Sequence, residues 1–337
     1  MNQIRNFQQI FSWFLGLNSL SLDREGPWAV EMLAKTIGFL YKDLPNLDCK
    51  KKKIELEIEN ISDSEYLSLN PTYLKPVLEL KEFVNSNIVS DLEDFLIHGS
   101  IATLDYSEGW SDLDTYVIVK DEVIVDPKRL TALRKNLIEA YKFLKAIDPL
   151  QHHGFIFSST YDLDNYFSNC LPIEVLSRSK SLLKKNRLRL QQYRDIRETR
   201  TFFRNKLKFF KECYVSGEMN HHLLDGVMLL ENYEERNAMY QMKYFLSVLM
   251  SMPAFFLDAL GNPSYKNSSF EKVREILNQD LGIIEQASNV RNKWQKIESH
   301  PFENNLIPSW LEQELGPDYF RRSFEICSTM CNSLNND

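Results

Sequence analysis

His98-Gly99-Ser100-Ile101-Ala102-Thr103-Leu104-Asp105-Tyr106-Ser107-Glu108-Gly109-Trp110-Ser111-Asp112-Leu113-Asp114-Thr115-Tyr116-Val117-Ile118-Val119 is the stretch on which the reading of this chain turns. The apolar run Phe95-Leu96-Ile97 ends at Gly99-Ser100, eleven residues follow, and Asp112-Leu113-Asp114 leads into the β-branched run Thr115–Val119. Side chains alternate across a strand, so Asp112 and Asp114 share a face while Leu113 points into the core. Two carboxylates a few ångströms apart repel each other unless a cation lies between them. An oxygen pair of this kind suits Mg²⁺, with phosphates completing the shell. Gly99 lets backbone approach a phosphate closely, and Ser100 adds a hydroxyl and an N–H where a helix is expected to start. Asp162-Leu163-Asp164 repeats the acidic pattern without the glycine turn.

Upstream, Ile10–Leu20, Ala29–Tyr41 and Tyr73–Asn87 have helical apolar spacing, while Ile54, Leu56 and Ile58 alternate with glutamates as a half-buried strand does. Downstream, Val123-Ile124-Val125 reads as a strand pairing back on Thr115–Val119. Asp126-Pro127 then opens a helix whose apolar positions Leu130, Leu133, Leu137, Tyr141, Leu144 and Ile147 step by three and four. Gly154–Ser159 and Ile173–Leu176 are further strand expectations. Everything beyond about residue 180 reads as helix, with Asn220 as a cap and capping boxes at Ser268…Glu271 and Ser309…Glu312. The expected organisation is an amino-terminal, mainly helical extension (1–90), an α/β catalytic unit (91–180) and an α-helical unit (181–337).

Composition excludes several classes. With 337 residues, 11 Gly and 12 Pro, the chain is neither collagen-like nor of low complexity. Its five cysteines are dispersed and lack a C-x-x-C spacing, so neither a disulfide framework nor a zinc site is signalled. No apolar run approaches the ~18–20 residues of a membrane span, and a cytoplasmic protein with no membrane partner is expected. The net charge of −7 hides a contrast, because Arg178–Lys211 holds thirteen Lys and Arg against Asp195 and Glu198, leaving −18 elsewhere. A +11 block suits phosphates, whereas the acidic remainder would repel a nucleic-acid duplex.

The glycine turn, the spacer and the acidic-apolar-acidic strand over 95–119 resemble the nucleotidyltransferase superfamily of the DNA polymerase β type. The likeness extends in topology to about residue 178, and the helical second half is similar to bacterial aminoglycoside and related small-substrate nucleotidyltransferases. The resemblance implies an α+β fold, in which a small mixed nucleotidyltransferase sheet with flanking helices is followed by an α-helical bundle. It implies that Asp112 and Asp114 hold Mg²⁺ on a nucleoside triphosphate. Gly99 and Ser100, with Ser111 beside them, would hold its phosphates, and Arg178 and Lys180 would meet the triphosphate. A nucleotidyl group, AMP from ATP in the first instance, would pass to a hydroxyl of a small-molecule acceptor with release of pyrophosphate.

The sequence departs from that family at the third carboxylate. Gly154–Ser159 has no acid, so His153, which shares a face with Phe155 and Phe157, stands as ligand or base, with Asp148 and Glu174 as alternatives. Trp110 and Tyr106 in the spacer would cover the site or anchor its loop. Two other functions fit the same residues: nucleotidyl transfer to a protein side chain, and a catalytically impaired nucleotide-binding regulatory module.

Overall fold

A computed structural model describes residues 2–47, 50–148, 151, 153–167, 171–219, 238–294 and 309–334. There are two sheets among the described residues, the larger built around one hairpin. Helices α1 (Asn2–Leu15), α2 (Leu20–Arg24) and α3 (Pro27–Lys42) come first, then strands β1 (Lys52–Glu57) and β2 (Glu59–Asn60) and helices α4 (Asp63–Leu69) and α5 (Lys75–Asn87). The hairpin follows as β3 (Leu92–His98), α6 (Gly99–Thr103) and β4 (Asp114–Val119), trailed by α7 (Asp121–Ile124) and α8 (Pro127–Ile147). Next are β5 (Ile156–Ser159), α9 (Thr160–Asp164), β6 (Tyr166–Phe167), α10 (Ile173–Leu176), β7 (Lys180–Ser181) and β8 (Arg187–Tyr193). The remaining described elements are helices: α11 (Ile196–Ser216), α12 (Ala238–Ala259), α13 (Lys266–Leu277), α14 (Ile283–Trp294), α15 (Ser309–Leu315) and α16 (Tyr319–Ser333).

The architecture is mixed α+β. The larger sheet has the order β2-β7-β3-β4-β5, with β3 antiparallel to β4 and β7, and β5 parallel to β4. The smaller has the order β1-β8-β6. Alternation along the hairpin divides the core. Phe95, Ile97, Val117 and Val119 face α1, α3, α5 and α8, while Leu96, Tyr116 and Ile118 pack with Leu188 and Leu190 on the other side. A third core, built from α11 to α16, takes in Trp110 from the hairpin's own loop. Arg134 of α8, only 4% exposed, donates to the Ser19 hydroxyl and carbonyl and pairs with Asp23, which fixes the amino-terminal helices on α8. Sheet pairing crosses residues 90 and 180, since β1 binds β8 and β2 binds β7.

Four local expectations differ from the structure. Val123-Ile124 lies in α7, because Asp121 and Glu122 suit a first helical turn and Asp126 must leave the sheet to cap α8 with its side chain. Ile173–Leu176 forms a helical turn after Pro172. The stretch after 180 contains strands β7 and β8, and in β8 the alternation Arg187-Leu188-Arg189-Leu190 is that of a half-buried strand. Ser268 sits inside α13, whose cap position is Tyr265. Pro253 lies inside α12 without ending it. The expected Asn220 cap and His152 lie outside the described residues. Among the described residues, no helix is long and apolar enough to cross a membrane.

Candidate functional site

Antiparallel pairing places His98 opposite Asp114, at the end of the hairpin where α6 begins. Gly99 has φ +68, and a Cβ added there would collide with the Asp114 carboxylate. Glycine is therefore required both by the backbone and by the closeness of the acid. Leu113 is fully buried in the sheet core, as alternation demands, which leaves Asp112 and Asp114 on the opposite face.

His153 precedes β5 and brings its imidazole to this pair. Its Nε2 lies 2.9 Å from Asp114 Oδ1 and 3.3 Å from Asp112 Oδ2. Burial opposes a charge on the ring, yet the hydrogen bonds and field of the two carboxylates prevail and hold its pKa well above the ordinary histidine range. Its Nδ1 lies 3.1 Å from the Gly154 carbonyl and 3.2 Å from the Gln151 amide nitrogen. Gln151, wholly buried, ties the assembly together. Its Oε1 accepts from the Leu113 N–H at 3.1 Å, and its Nε2 donates to the His153 carbonyl at 3.1 Å. One ligand atom from each of Asp112, Asp114 and His153 lies within 4.8 Å of the others, a geometry able to hold a metal ion.

Two participants in this site carry no local sequence signal. His98 is buried, its Nε2 has no hydrogen-bond partner, and burial pushes its pKa down against the pull of Asp114. Lys266, half-buried at the start of α13, has its pKa pushed down to about 8 by burial and by Arg291, against the opposing fields of Asp112, Asp114 and Asp105. Arg291 on α14 donates to the Asp105 carbonyl, and Trp294 one turn on meets Trp110 edge to face at 4.8 Å. The helical part of the chain thus grips both ends of the 105–110 loop. Lys243 of α12 makes a deeply buried ion pair with Asp148, three residues before Gln151.

The other expected residues are placed as follows. Ser111 is buried, shares a hydrogen bond of 2.9 Å with Ser100 and accepts from the Ser107 N–H, so its hydroxyl shapes the loop. Arg178 lies 4.5 Å over the Tyr265 ring, beside Lys266. Lys180 turns to Glu65 at 3.1 Å and to the Tyr66 ring. Glu174 acts on Asp258 and is not among the clustered ligand groups. Asp148 is committed to Lys243. Trp110 is a packed anchor in the helical core, and Tyr106 stacks on Tyr73 at 5.2 Å.

Part of the basic block meets acids brought from elsewhere. Arg187 and Arg189 flank Glu55, Lys185 meets Glu93, and Arg194 meets Asp258. Searches against family models, curated proteins and solved structures returned no match to this chain.

Proposed function

We propose that the protein is a divalent-cation-dependent nucleotidyltransferase that moves a nucleoside monophosphate, AMP in the first instance, from a nucleoside triphosphate to a hydroxyl of a small molecule. One observation carries this reading. A glycine turn with no room for a side chain is pressed against the second acid of an Asp-x-Asp strand, with an imidazole on both carboxylates.

Asp112 and Asp114 offer oxygens and His153 a nitrogen to the cation, which when bound neutralises charge on the reacting phosphate and its leaving group. Gly99 and Ser100 present backbone and hydroxyl beside Asp114, where a polyphosphate can lie against the turn. Lys266 and Arg178 add positive charge from outside the hairpin, and charges fixed in place by the fold act on a developing phosphate charge at little reorganisation cost. A small acceptor is favoured over a polymer, because the chain outside the 178–211 basic block carries a net charge of −18, which repels a duplex.

Incubation with α-labelled ATP, a divalent cation and a panel of hydroxyl-bearing small molecules tests the reading. The wild-type chain is expected to transfer label to an acceptor and release pyrophosphate, and the Asp112→Asn, Asp114→Asn double variant is expected to do neither. Equal labelling by the double variant would overturn the proposal.

A further inference from the structure

We infer that Asp112, Asp114 and His153 form a mixed oxygen–nitrogen site that takes a first-row transition dication in preference to Mg²⁺, with the His153 Nε2 as a direct ligand. The inference concerns the cation of the proposed transferase and rests on that reading only for what the cation does, not for where it binds.

The donor set is the first argument. Two carboxylates alone suit Mg²⁺, whereas an imidazole shifts preference toward Mn²⁺, Co²⁺, Zn²⁺ and their neighbours. Spacing is the second. Adjacent donors in a six-coordinate shell with bonds of about 2.1 Å stand about 3 Å apart, and Nε2 lies 2.9 and 3.3 Å from the two carboxylate oxygens.

The support behind the ring points the same way. A ligating histidine characteristically donates its other ring N–H to a carbonyl or carboxylate, which fixes the tautomer and aims the free nitrogen at the metal. His153 Nδ1 has the Gly154 carbonyl within reach for that contact at 3.1 Å, with the Gln151 amide nitrogen at 3.2 Å also holding the ring in place. Gln151 holds the His153 carbonyl and the Leu113 N–H at the same time, so the imidazole and the acidic strand are positioned by one amide.

A separate observation lies next door. His98 is 5% exposed and its Nε2 has no hydrogen-bond partner. As the cross-strand partner of Asp114 it emerges beside that carboxylate. A buried unpaired polar atom carries a desolvation cost. A dication's water ligand, placed between His98 and Asp114, would relieve it.

Metal alone, without nucleotide, tests the inference on the full chain. Calorimetry with Co²⁺ and Mg²⁺ should show Co²⁺ bound at least about a hundredfold more tightly, and His153→Asp should cut that ratio at least about tenfold while Mg²⁺ binding persists. Pulsed electron paramagnetic resonance of Mn²⁺ bound to the wild-type chain should show coupling to an imidazole ¹⁴N, and this readout decides the matter if the variant fails to fold. An unchanged metal ratio in a folded His153→Asp variant, or Mn²⁺ bound with no ¹⁴N coupling, overturns the inference. Failure of label transfer would leave this result standing, and Mg²⁺ preference would leave the transferase reading standing.

Discussion

The carboxylate wall of the site runs from His98 to Asp114 in seventeen residues of continuous chain, while the cationic side draws Arg178, Lys266 and Arg291 from a stretch that spans more than a hundred residues. The first wall is held by its own hairpin: His98 pairs with Asp114 and Ser111 bonds Ser100. The second depends on helices docking correctly, through Trp294 on Trp110 and Lys243 on Asp148. The contrast teaches that damage to the first should appear as lost chemistry in a folded protein. Damage to the supports of the second should appear first as lost stability.

Lys243→Met is the strongest challenge to that division. It leaves the Asp148 carboxylate buried without its cation, and the urea-unfolding free energy should fall by about 3–5 kcal/mol. Adding Asp148→Leu should restore most of it, since an apolar pair is tolerated where a lone charge is not. A loss below about 1 kcal/mol in the single variant would show that the pair does not anchor the helices.

Gly99→Ala attacks the other wall. The new methyl meets the Asp114 carboxylate at a backbone angle that alanine resists. Label transfer should drop at least about a hundredfold, with a stability loss of only about 1–3 kcal/mol. Unfolding without any separate loss of transfer would erase the distinction between the walls.

Lys266 sharpens the comparison through pH. Its ammonium loses its proton at about 8 rather than near the ordinary lysine value. The protonated form attracts a triphosphate, so affinity is full below pH 8 and declines as pH rises through it. Nucleotide titrations at pH 7 and 9 should show this decline. Lys266→Met should bind about tenfold more weakly at pH 7, with the slope gone. A wild-type affinity flat from pH 7 to 9 would remove Lys266 from the phosphate side.

Glu55→Gln is the mildest test. Its exposed contacts with Arg187 and Arg189 should be worth less than about 1 kcal/mol, and transfer should not change. A measurable loss of transfer would mean that β8 reaches the site.

What could be read from the residues follows the same line. The Gly99 turn, the shared face of Asp112 and Asp114 and the burial of Leu113 all rest on the period-two geometry of a strand, which neighbours in sequence determine. His153 was also within reach, because it stands just before a strand, Gly154–Ser159, that carries no acid of its own. Lys266 was not, since its meaning comes from α13 packing beside a hairpin that ends some hundred and fifty residues earlier. The neighbours of the basic block were out of reach for the same reason. Its Lys and Arg are conspicuous along the chain, but Glu55, Glu65, Glu93 and Asp258, which balance part of it, become its neighbours only on folding. Glu174 shows the converse, because a helical turn after Pro172 places it near Asp258.

Gln151 has a further consequence. Backbone pairing between β4 and β5 begins only at Tyr116 with Ile156. Three residues earlier, the Gln151 amide offers Leu113 an acceptor for its N–H, as an adjoining strand would. A single side chain thus prolongs the sheet where the main chain has already turned away. The loop is released to carry His153 around the corner, and the acidic strand still has a partner at its exposed beginning.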